Sequence, residues 1–195
     1  MFNIVLLEPE IPSNTGNIGR TCAAAGCRLH LIEPLGFHLS ERNLKRAGMD
    51  YWQELDVTRY SGFSDFLARN PGAELFFATT KGQYLYSEVR YPKDSFLVFG
   101  KESAGIPEEI LKQYPKRCVR IPMVGETRSL NLANSVSIIL YEALRQQGFA
   151  GMKLTGQLHH DTWDACEGKY ETGAQENSGT AAGSFYRSDE GPAGQ

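Results

Sequence analysis

Short apolar runs alternate with amphipathic segments over the first 150 residues of the chain. Runs rich in β-branched and aromatic residues predict buried strands at 2–8, 28–33, 55–60, 75–79, 96–99 and 118–121. Helical spacing and helix-boundary residues predict helices at 15–25, 41–48, 63–68 and 107–113, and a last helix that ends near Gly148. This alternation indicates an α/β domain with a mainly parallel sheet.

Polar or small residues mark the boundaries of two of the predicted helices. Ser13 or Asn14 is suited to cap the first helix, and Gly26 is suited to end it. Ser129 is a candidate cap for the last helix, at the end of a polar loop that follows an apolar strand. The segment 81–94 has no clear period and is predicted to be a loop.

The composition changes after Gly148. Residues 155–195 are rich in Gly, Ser, Thr, Ala, Glu and Gln, and such segments bury too little apolar surface to fold. Residues 151–195 contain three basic and seven acidic residues, which leaves residues 1–150 slightly positive although the whole chain has a net charge of -3. We predict a folded domain at 1–150 and a disordered, acidic, Gly/Ser-rich tail at 151–195. An RNA site in such a chain must be a local basic patch.

Cysteine, histidine and hydropathy patterns exclude several classes of protein. The four Cys have unrelated spacings and no C-x-x-C pair, which argues against zinc and fits reduced thiols in a cytosolic protein. His159 and His160, with Asp161 and Asp164, have no second ligand cluster and are interpreted as solvated residues. No apolar run reaches the roughly 18 residues of a membrane span, and the N-terminus lacks a basic signal region. We therefore expect a cytoplasmic protein with no metal and no membrane partner.

Three polar segments lie beyond the C-terminal ends of predicted strands, at 14–20, 100–105 and 125–131. The carboxyl ends of parallel strands meet at one edge of a sheet, where ligands bind in open α/β folds. We therefore expect one shared site, with Arg20, Glu102, Ser129 and several Asn side chains. No nucleophile has a base beside it, so these groups suit the binding and orientation of two reactants better than covalent catalysis.

Each of these residues also has a purely structural interpretation. Asn14 could be only a helix cap, Arg20 an exposed charge on a helix face, and Glu102 the partner of the neighbouring lysine or a cap of the next turn. The better-known nucleotide and hydrolase motifs are missing. G-x-G-x-x-G and G-x-S-x-G are absent, and the G-x-x-x-x-G at 100–105 lacks the following Lys and Ser or Thr of a phosphate loop.

Together, the three segments resemble the motifs of the SPOUT methyltransferase superfamily. The matching stretches are NTGNIGR at 14–20, FGKESAG at 99–105, and RIPM through RSLNL at 120–132, with further matches at 3–12, 46–51 and 141–143. Within the superfamily, the chain resembles the small tRNA (cytidine/uridine) 2'-O-methyltransferases that act on the wobble nucleotide. The resemblance covers residues 1 to about 150, and three ordered motifs at these separations are a specific signal.

The resemblance implies a SPOUT-type α/β fold: a mainly parallel sheet flanked by helices, with a C-terminal trefoil knot, in a single domain. General rules of chain connection argue against knots, so this expectation comes from the resemblance alone. The resemblance also implies S-adenosylmethionine bound in the knot and an obligate homodimer. The implied cofactor-binding residues are Ala78, Gly100, Ile121, Ser129 and Leu130. Many of these contacts would be made by the main chain, which tolerates Ala78 where family members often have a larger apolar residue.

The implied reaction is methylation of the ribose 2'-OH of nucleotide 34, in the anticodon stem-loop of tRNA. The implied catalytic residues are Arg20, Glu102 and Asn131. A guanidinium keeps its proton at all physiological pH values. We therefore interpret Arg20 as the group that holds the ribose hydroxyl and the adjacent phosphate, and not as the base.

This small family has no separate RNA-binding domain, so the surface of the domain itself must hold the RNA. The candidate RNA-binding residues are Asn14, Arg20, Arg42, Arg46 and Arg128, with Lys45 beside them. The basic residues of the predicted helix at 41–48 could equally form a solvated helix face.

Two alternative functions stay open from the sequence. One is 2'-O-methylation of ribosomal RNA, although such enzymes usually carry an extra N-terminal RNA-binding domain and this chain begins on its first predicted strand. The other is a non-catalytic RNA-binding protein with the same fold, which the intact Arg20, Glu102, Ser129 and Asn131 disfavour.

Overall fold

The computed structural model of the protein describes residues 1–38, 52 and 55–163. It divides into two compact units, Met1–Leu154 and Thr155–Gln195. The predicted helix at 41–48 and the tail from residue 164 lie outside the described residues. In the second unit, the indole N–H of Trp163 donates to the carbonyl oxygen of Gly156 at 3.1 Å.

Seven described strands form one sheet in the first unit. They are β1 (Asn3–Leu7), β2 (Arg28–Ile32), β3 (Val57–Tyr60), β4 (Leu75–Ala78), β5 (Tyr84–Leu85), β6 (Phe96–Gly100) and β7 (Cys118–Arg120). Their order across the sheet is β3-β2-β1-β6-β4-β7-β5, and every pairing is parallel. The predicted α/β class with a mainly parallel sheet is confirmed. The structure adds β5 within the segment predicted to be a loop, because two residues are too few to show a period.

Four α-helices are described in this unit, with a short 3₁₀ helix at Pro115–Arg117. They are α1 (Pro12–Ala25), α2 (Phe63–Arg69), α3 (Glu108–Leu111) and α4 (Leu132–Gln146). The prediction that Ser13 or Asn14 caps the first helix is wrong. Ile11 holds the cap position without a side-chain bond, and Pro12 begins the helix with a backbone angle already suited to it. The predicted end is confirmed, since Gly26 follows α1 with φ of 62°.

Alternate residues of the central strands pack into two separate apolar layers. In β1, Ile4 and Leu6 join the layer that contains the core residues of α1 and α4, and Val5 and Leu7 join the layer under α2 and α3. A strand buried on both faces has an unbroken apolar sequence, as these strands do. On the first layer, α1 and α4 pack side by side, with the Thr21 and Ser137 hydroxyl oxygens 3.5 Å apart.

The strand order creates a crevice at the carboxyl ends of β1 and β6. These neighbouring strands continue to opposite faces of the sheet, β1 into α1 and β6 into α3. Connections that leave in opposite directions open a gap between them, which is the usual ligand position in open α/β sheets. The fold therefore brings the residues after β1 and β6 to one edge.

The described residues include no helix that is long and apolar enough to cross a membrane. The His, Cys, Asp and Glu side chains of the same residues form no group of three that could hold a metal ion. Cys22, Cys27 and Cys118 are buried free thiols. Burial raises the pKa of the Cys27 thiol to about 11, so this group is neutral at physiological pH.

A buried histidine makes the stability of the fold depend on pH. The ring of His30 is enclosed by aromatic side chains, and its nitrogens lie 2.8 Å from the Tyr60 hydroxyl and 3.2 Å from the Asn3 amide oxygen. Burial lowers its pKa to about 4, against about 6.5 in the unfolded chain. The unfolded state therefore binds the extra proton between these values, and folding loses free energy as the pH falls from 6.5 to 4.

We expect this histidine to remove roughly 3 kcal/mol of stability over that pH window. Urea unfolding of the wild type and of His30→Gln at pH 7, 5.5 and 4 measures it. The difference between the two proteins cancels the carboxylates that titrate in the same range. A difference that stays constant with pH would show that the pKa of His30 is the same in the folded and unfolded states, and would contradict the prediction.

Candidate functional site

A cleft of about 590 Å³ opens at the edge where the strands end. Its walls are the segments that follow β4, β6 and β7, together with the N-terminal ends of α1 and α4. Nine of the residues singled out in the sequence line it: Asn14, Ala78, Gly100, Glu102, Ile121, Arg128, Ser129, Leu130 and Asn131. The structure therefore brings the three polar segments to a single place.

One described candidate does not line this cleft. Arg20 is exposed on α1, six residues beyond Asn14, and is not among the residues that line the cleft of its own chain. Arg42 and Arg46, with Lys45, lie outside the described residues. Among the described basic residues of the proposed patch, Arg128 lines the cleft.

The segment after β4 also lines the cleft, and the sequence reasoning missed it. Thr79, Thr80 and Lys81 follow Ala78 directly, at the same edge as the three predicted segments. Position alone could have identified them, because they are polar residues after a strongly apolar strand. The Lys81 ammonium forms an exposed ion pair with Glu108 at 3.0 Å.

Gly100 allows the floor of the cleft to form. It is the last residue of β6, has φ of 109°, and pairs with Leu7 in the sheet. A Cβ atom at this position would lie 2.3 Å from the carbonyl oxygen of Leu7. Only glycine combines this backbone angle with so close an approach.

Glu102 is bound by the segment that leads into α1. Its carboxylate accepts the main-chain N–H of Glu10 at 2.8 Å and of Ile11 at 3.3 Å, and the side-chain N–H of Asn14 at 3.1 Å. The neighbouring Lys101 pairs instead with Glu8, at 2.9 Å. The interpretations of Glu102 as a partner of Lys101 or as a cap of the next turn are therefore wrong.

A second carboxylate, Glu10, holds the same loop from the other strand. Its two oxygens accept the hydroxyl and the main-chain N–H of Ser103, both at 2.8 Å. These hydrogen bonds lower the pKa of Glu10. The Arg128 guanidinium donates to the carbonyl oxygen of Ser103 at 3.4 Å. The loop at 101–105 is thus attached to the segment before α1 and to the segment before α4.

Asn131 caps α4, and the prediction of Ser129 as the cap is wrong. The side-chain oxygen of Asn131 accepts the main-chain N–H groups of Ala133 at 2.9 Å and Asn134 at 3.3 Å. Its amide nitrogen donates to the side-chain oxygen of Asn14 at 3.0 Å. Ser129 remains in the wall of the cleft, two residues before the cap.

Substitution of Asn131 and of Ser129 by alanine is expected to change the free energy of unfolding by different amounts. Asn131→Ala should lower the free energy of unfolding by about 1–2 kcal/mol, because two N–H groups of the first helical turn lose their acceptor. Ser129→Ala should change it by less than about 0.5 kcal/mol. Urea unfolding measures both, and equal losses would contradict the assignment of the cap.

The cleft offers two kinds of surface to a ligand. Apolar contact comes from Ala78, Phe99, Ile121 and Ile139, and the lining also includes side-chain amides, a guanidinium and main-chain groups. Such a cleft suits a ligand with an apolar body and several polar edges, and a second, anionic ligand at its rim.

Comparison with known proteins agrees with this arrangement. Residues 1–141 match the SpoU rRNA Methylase family. The chain is 49% identical over 155 residues to the tRNA (cytidine(34)-2'-O)-methyltransferase of Escherichia coli (strain K12), covering 79% of this chain and 99% of that protein.

Two solved structures show the same likeness. One, described as giving structural insights into the 2-OH methylation of C/U34 on tRNA, superposes with a TM-score of 0.72 at 47% identity, over 76% of this chain and 97% of that one. The AdoMet-bound rRNA methyltransferase from Sinorhizobium meliloti superposes with a TM-score of 0.66 at 30% identity, over 74% of this chain and 56% of that one. The chain belongs to the SpoU rRNA methylase family.

Proposed function

We propose that this protein transfers the methyl group of S-adenosylmethionine to the ribose 2'-OH of nucleotide 34 of tRNA. The observation that carries the proposal is the single cleft that collects nine of the predicted site residues. Relatives that match most of the chain are named for this reaction. The 30% identical Sinorhizobium meliloti structure holds the cofactor.

The cleft fits S-adenosylmethionine in size and in lining. Its volume of about 590 Å³ lies in the range of small-molecule sites. In the proposal, Ala78, Gly100, Ile121, Ser129 and Leu130 hold the cofactor. The missing side chain at Gly100 leaves its main chain open to a ligand, and Ala78 and Ile121 supply apolar contact.

When bound, the cofactor would supply a methyl group on a sulfonium. The ribose oxygen would take this methyl group as the carbon–sulfur bond breaks, and the hydroxyl proton would leave to water. The contribution of the protein is alignment and exclusion of water, which account for a large part of the acceleration in such displacements. We assign Arg128 and Asn131, at the rim, to the RNA, and Glu102 to the support of the site. Arg42 and Arg46 stay in the proposal as phosphate contacts, which a decline of binding with salt concentration would support.

The proposal includes a homodimer that brings Arg20 to the site. The adjacent helices α1 and α4 leave Ala23, Ala24 and Tyr141 exposed, and small and aromatic residues suit close packing against a second copy. Arg20 does not line the cleft of its own chain, so a dimer offers the route by which it acts at the cleft of the other copy.

The proposal also includes the trefoil knot. β7 lies between β4 and β5, two strands that are consecutive along the chain and joined by residues 79–83. The connection crosses β7 closely: Thr79 N–H donates to Val119 O at 2.9 Å, and the Arg120 guanidinium donates to Thr80 O. A knotted chain requires that a later strand, here β7, passes an earlier connection, here the one between β4 and β5.

The domain boundary and the location in the cell complete the proposal. The compact unit Met1–Leu154 and the family match at 1–141 support a methyltransferase domain at 1–150 with a tail at 151–195. We place the protein in the cytoplasm because its proposed substrate is tRNA.

Mapping of ribose methylation tests the function. The full-length protein, S-adenosylmethionine and total RNA from cells that lack the protein are incubated, and 2'-O-methyl positions are read in every RNA. We expect new methylation at nucleotide 34 of tRNA. As a control, an anticodon stem-loop with a 2'-deoxy sugar at nucleotide 34 should not be methylated. Methylation of ribosomal RNA alone would overturn the tRNA assignment, and cofactor binding without methylation would favour the non-catalytic alternative.

A further inference from the structure

A chain of three side chains joins the polar segments of the cleft. Asn131 donates from its side-chain nitrogen to Asn14, and Asn14 donates from its own nitrogen to Glu102, at 3.0 and 3.1 Å. We call Glu102, Asn14 and Asn131 the amide relay. Asn14 is only 5% exposed, whereas Asn131 is exposed at the rim.

Both ends of the amide relay have a fixed hydrogen-bond role. At one end, the carboxylate of Glu102 can only accept, so the nitrogen of Asn14 must face it. At the other end, the main-chain N–H groups of Ala133 and Asn134 can only donate, so the oxygen of Asn131 must face them. The central bond then has one possible direction, from the Asn131 nitrogen to the Asn14 oxygen.

The direction determines what Asn131 offers to a ligand. Its oxygen already accepts two N–H groups, and its nitrogen uses one N–H for Asn14 and carries a second. We propose that Asn14 is a positioning residue that fixes Asn131 as an N–H donor toward a ribose or phosphate oxygen of the RNA. This inference rests on the proposed function and deepens it, since it specifies an oxygen acceptor as the substrate group at this point.

The charges at the two ends act in the same sense. The N-terminus of α4 carries a partial positive charge beside the Asn131 oxygen, and the negative Glu102 lies beside the Asn14 nitrogen. Hydrogen bonds aligned head to tail polarise one another, which makes the remaining N–H of Asn131 a stronger donor. Glu102, which accepts three N–H groups, is the anchor of the amide relay and not the base of the reaction.

A pair of reciprocal substitutions tests the amide relay. Asn14→Asp places a second carboxylate against Glu102, and Glu102→Gln then supplies an N–H that faces it. We expect Asn14→Asp to lower kcat about 100-fold and Glu102→Gln about 10-fold, while the double variant regains at least about 10-fold over Asn14→Asp. The KM for S-adenosylmethionine should change less than about 3-fold throughout. Gln113→Glu, the same amide-to-carboxylate change at an exposed position, is the matched control and should keep full turnover.

Two measurements separate this inference from the proposed function. Turnover is measured on total RNA, so that the effects of the single and double variants can be compared even if the substrate is an RNA other than tRNA. Urea unfolding of the wild type, the two single variants and the double variant measures the coupling of positions 14 and 102 without RNA. Recovery of both stability and kcat in the double variant supports the proposal. Recovery of stability without kcat, or unchanged kcat in Asn14→Asp, overturns it. Wild-type turnover on ribosomal RNA alone would overturn only the tRNA assignment.

Discussion

Co-expression of Arg20→Ala with Asn131→Ala is expected to restore about a quarter of wild-type methyl transfer, although each variant alone loses roughly 100-fold. Asn131 lines the cleft of its own chain, whereas Arg20 does not. In an equal mixture, about half of the dimers contain one copy of each variant. Each such dimer has one complete site, formed by the intact cleft of one copy and Arg20 of the other.

The matched control carries both substitutions in one chain and is co-expressed with the wild type. If Arg20 acts across the dimer, the mixed dimers are inactive, and activity falls to about a quarter of the wild type. If Arg20 acts within its own chain, about half remains, and the first mixture recovers nothing. Full turnover of Arg20→Lys would separately contradict a bidentate role, because lysine cannot reproduce the planar fork of arginine.

Much of the fold follows from the sequence because the central strands are buried on both faces. An unbroken apolar run such as that of β1 favours a buried strand over other structures in a chain of this length. The neighbouring strands β2 and β6 have the same pattern. The order of the strands does not follow in the same way. The order depends on which face of the sheet each helix packs against. The hydrophobic period of a helix does not specify that face.

The starts of α1 and α4 show why local signals placed the caps wrongly. Ser13 and Asn14 are favourable cap residues, yet a carboxylate from Glu102, 88 or more positions away, takes the N–H groups ahead of the helix. Asn14 is thereby freed to join two segments of the cleft. At α4, Ser129 and Asn131 both satisfy the cap rule, and only the path of the loop decides between them.

The site was predictable in its residues but not in its contacts. Polar side chains after apolar strands identified three of the four segments of the cleft, and the same rule applied to Thr79 would have found the fourth. The hydrogen bonds between Glu10 and Ser103 join residues 93 positions apart. Such a pairing depends on the register of β1 and β6, which only the folded sheet establishes.

Gly100→Ala is expected to lower the free energy of unfolding by at least about 4 kcal/mol, through a steric conflict in the sheet and an unfavourable backbone angle. The new Cβ would lie 2.3 Å from the carbonyl oxygen of Leu7, a main-chain atom held by the pairing of β1 and β6. Neither strand can move aside without opening the buried core on both faces. Urea unfolding measures the loss, and soluble yield reports it if the variant does not fold.

Gly105→Ala is the matched control in the same loop. Gly105 also has a positive φ, of 69°, but a Cβ atom there would meet nothing within 4 Å. Its cost should therefore be only the backbone term, about 1 kcal/mol. The difference between the two variants isolates the contact with Leu7. Equal losses would mean that the backbone angle alone requires glycine at position 100, and that the cleft floor has room for a side chain.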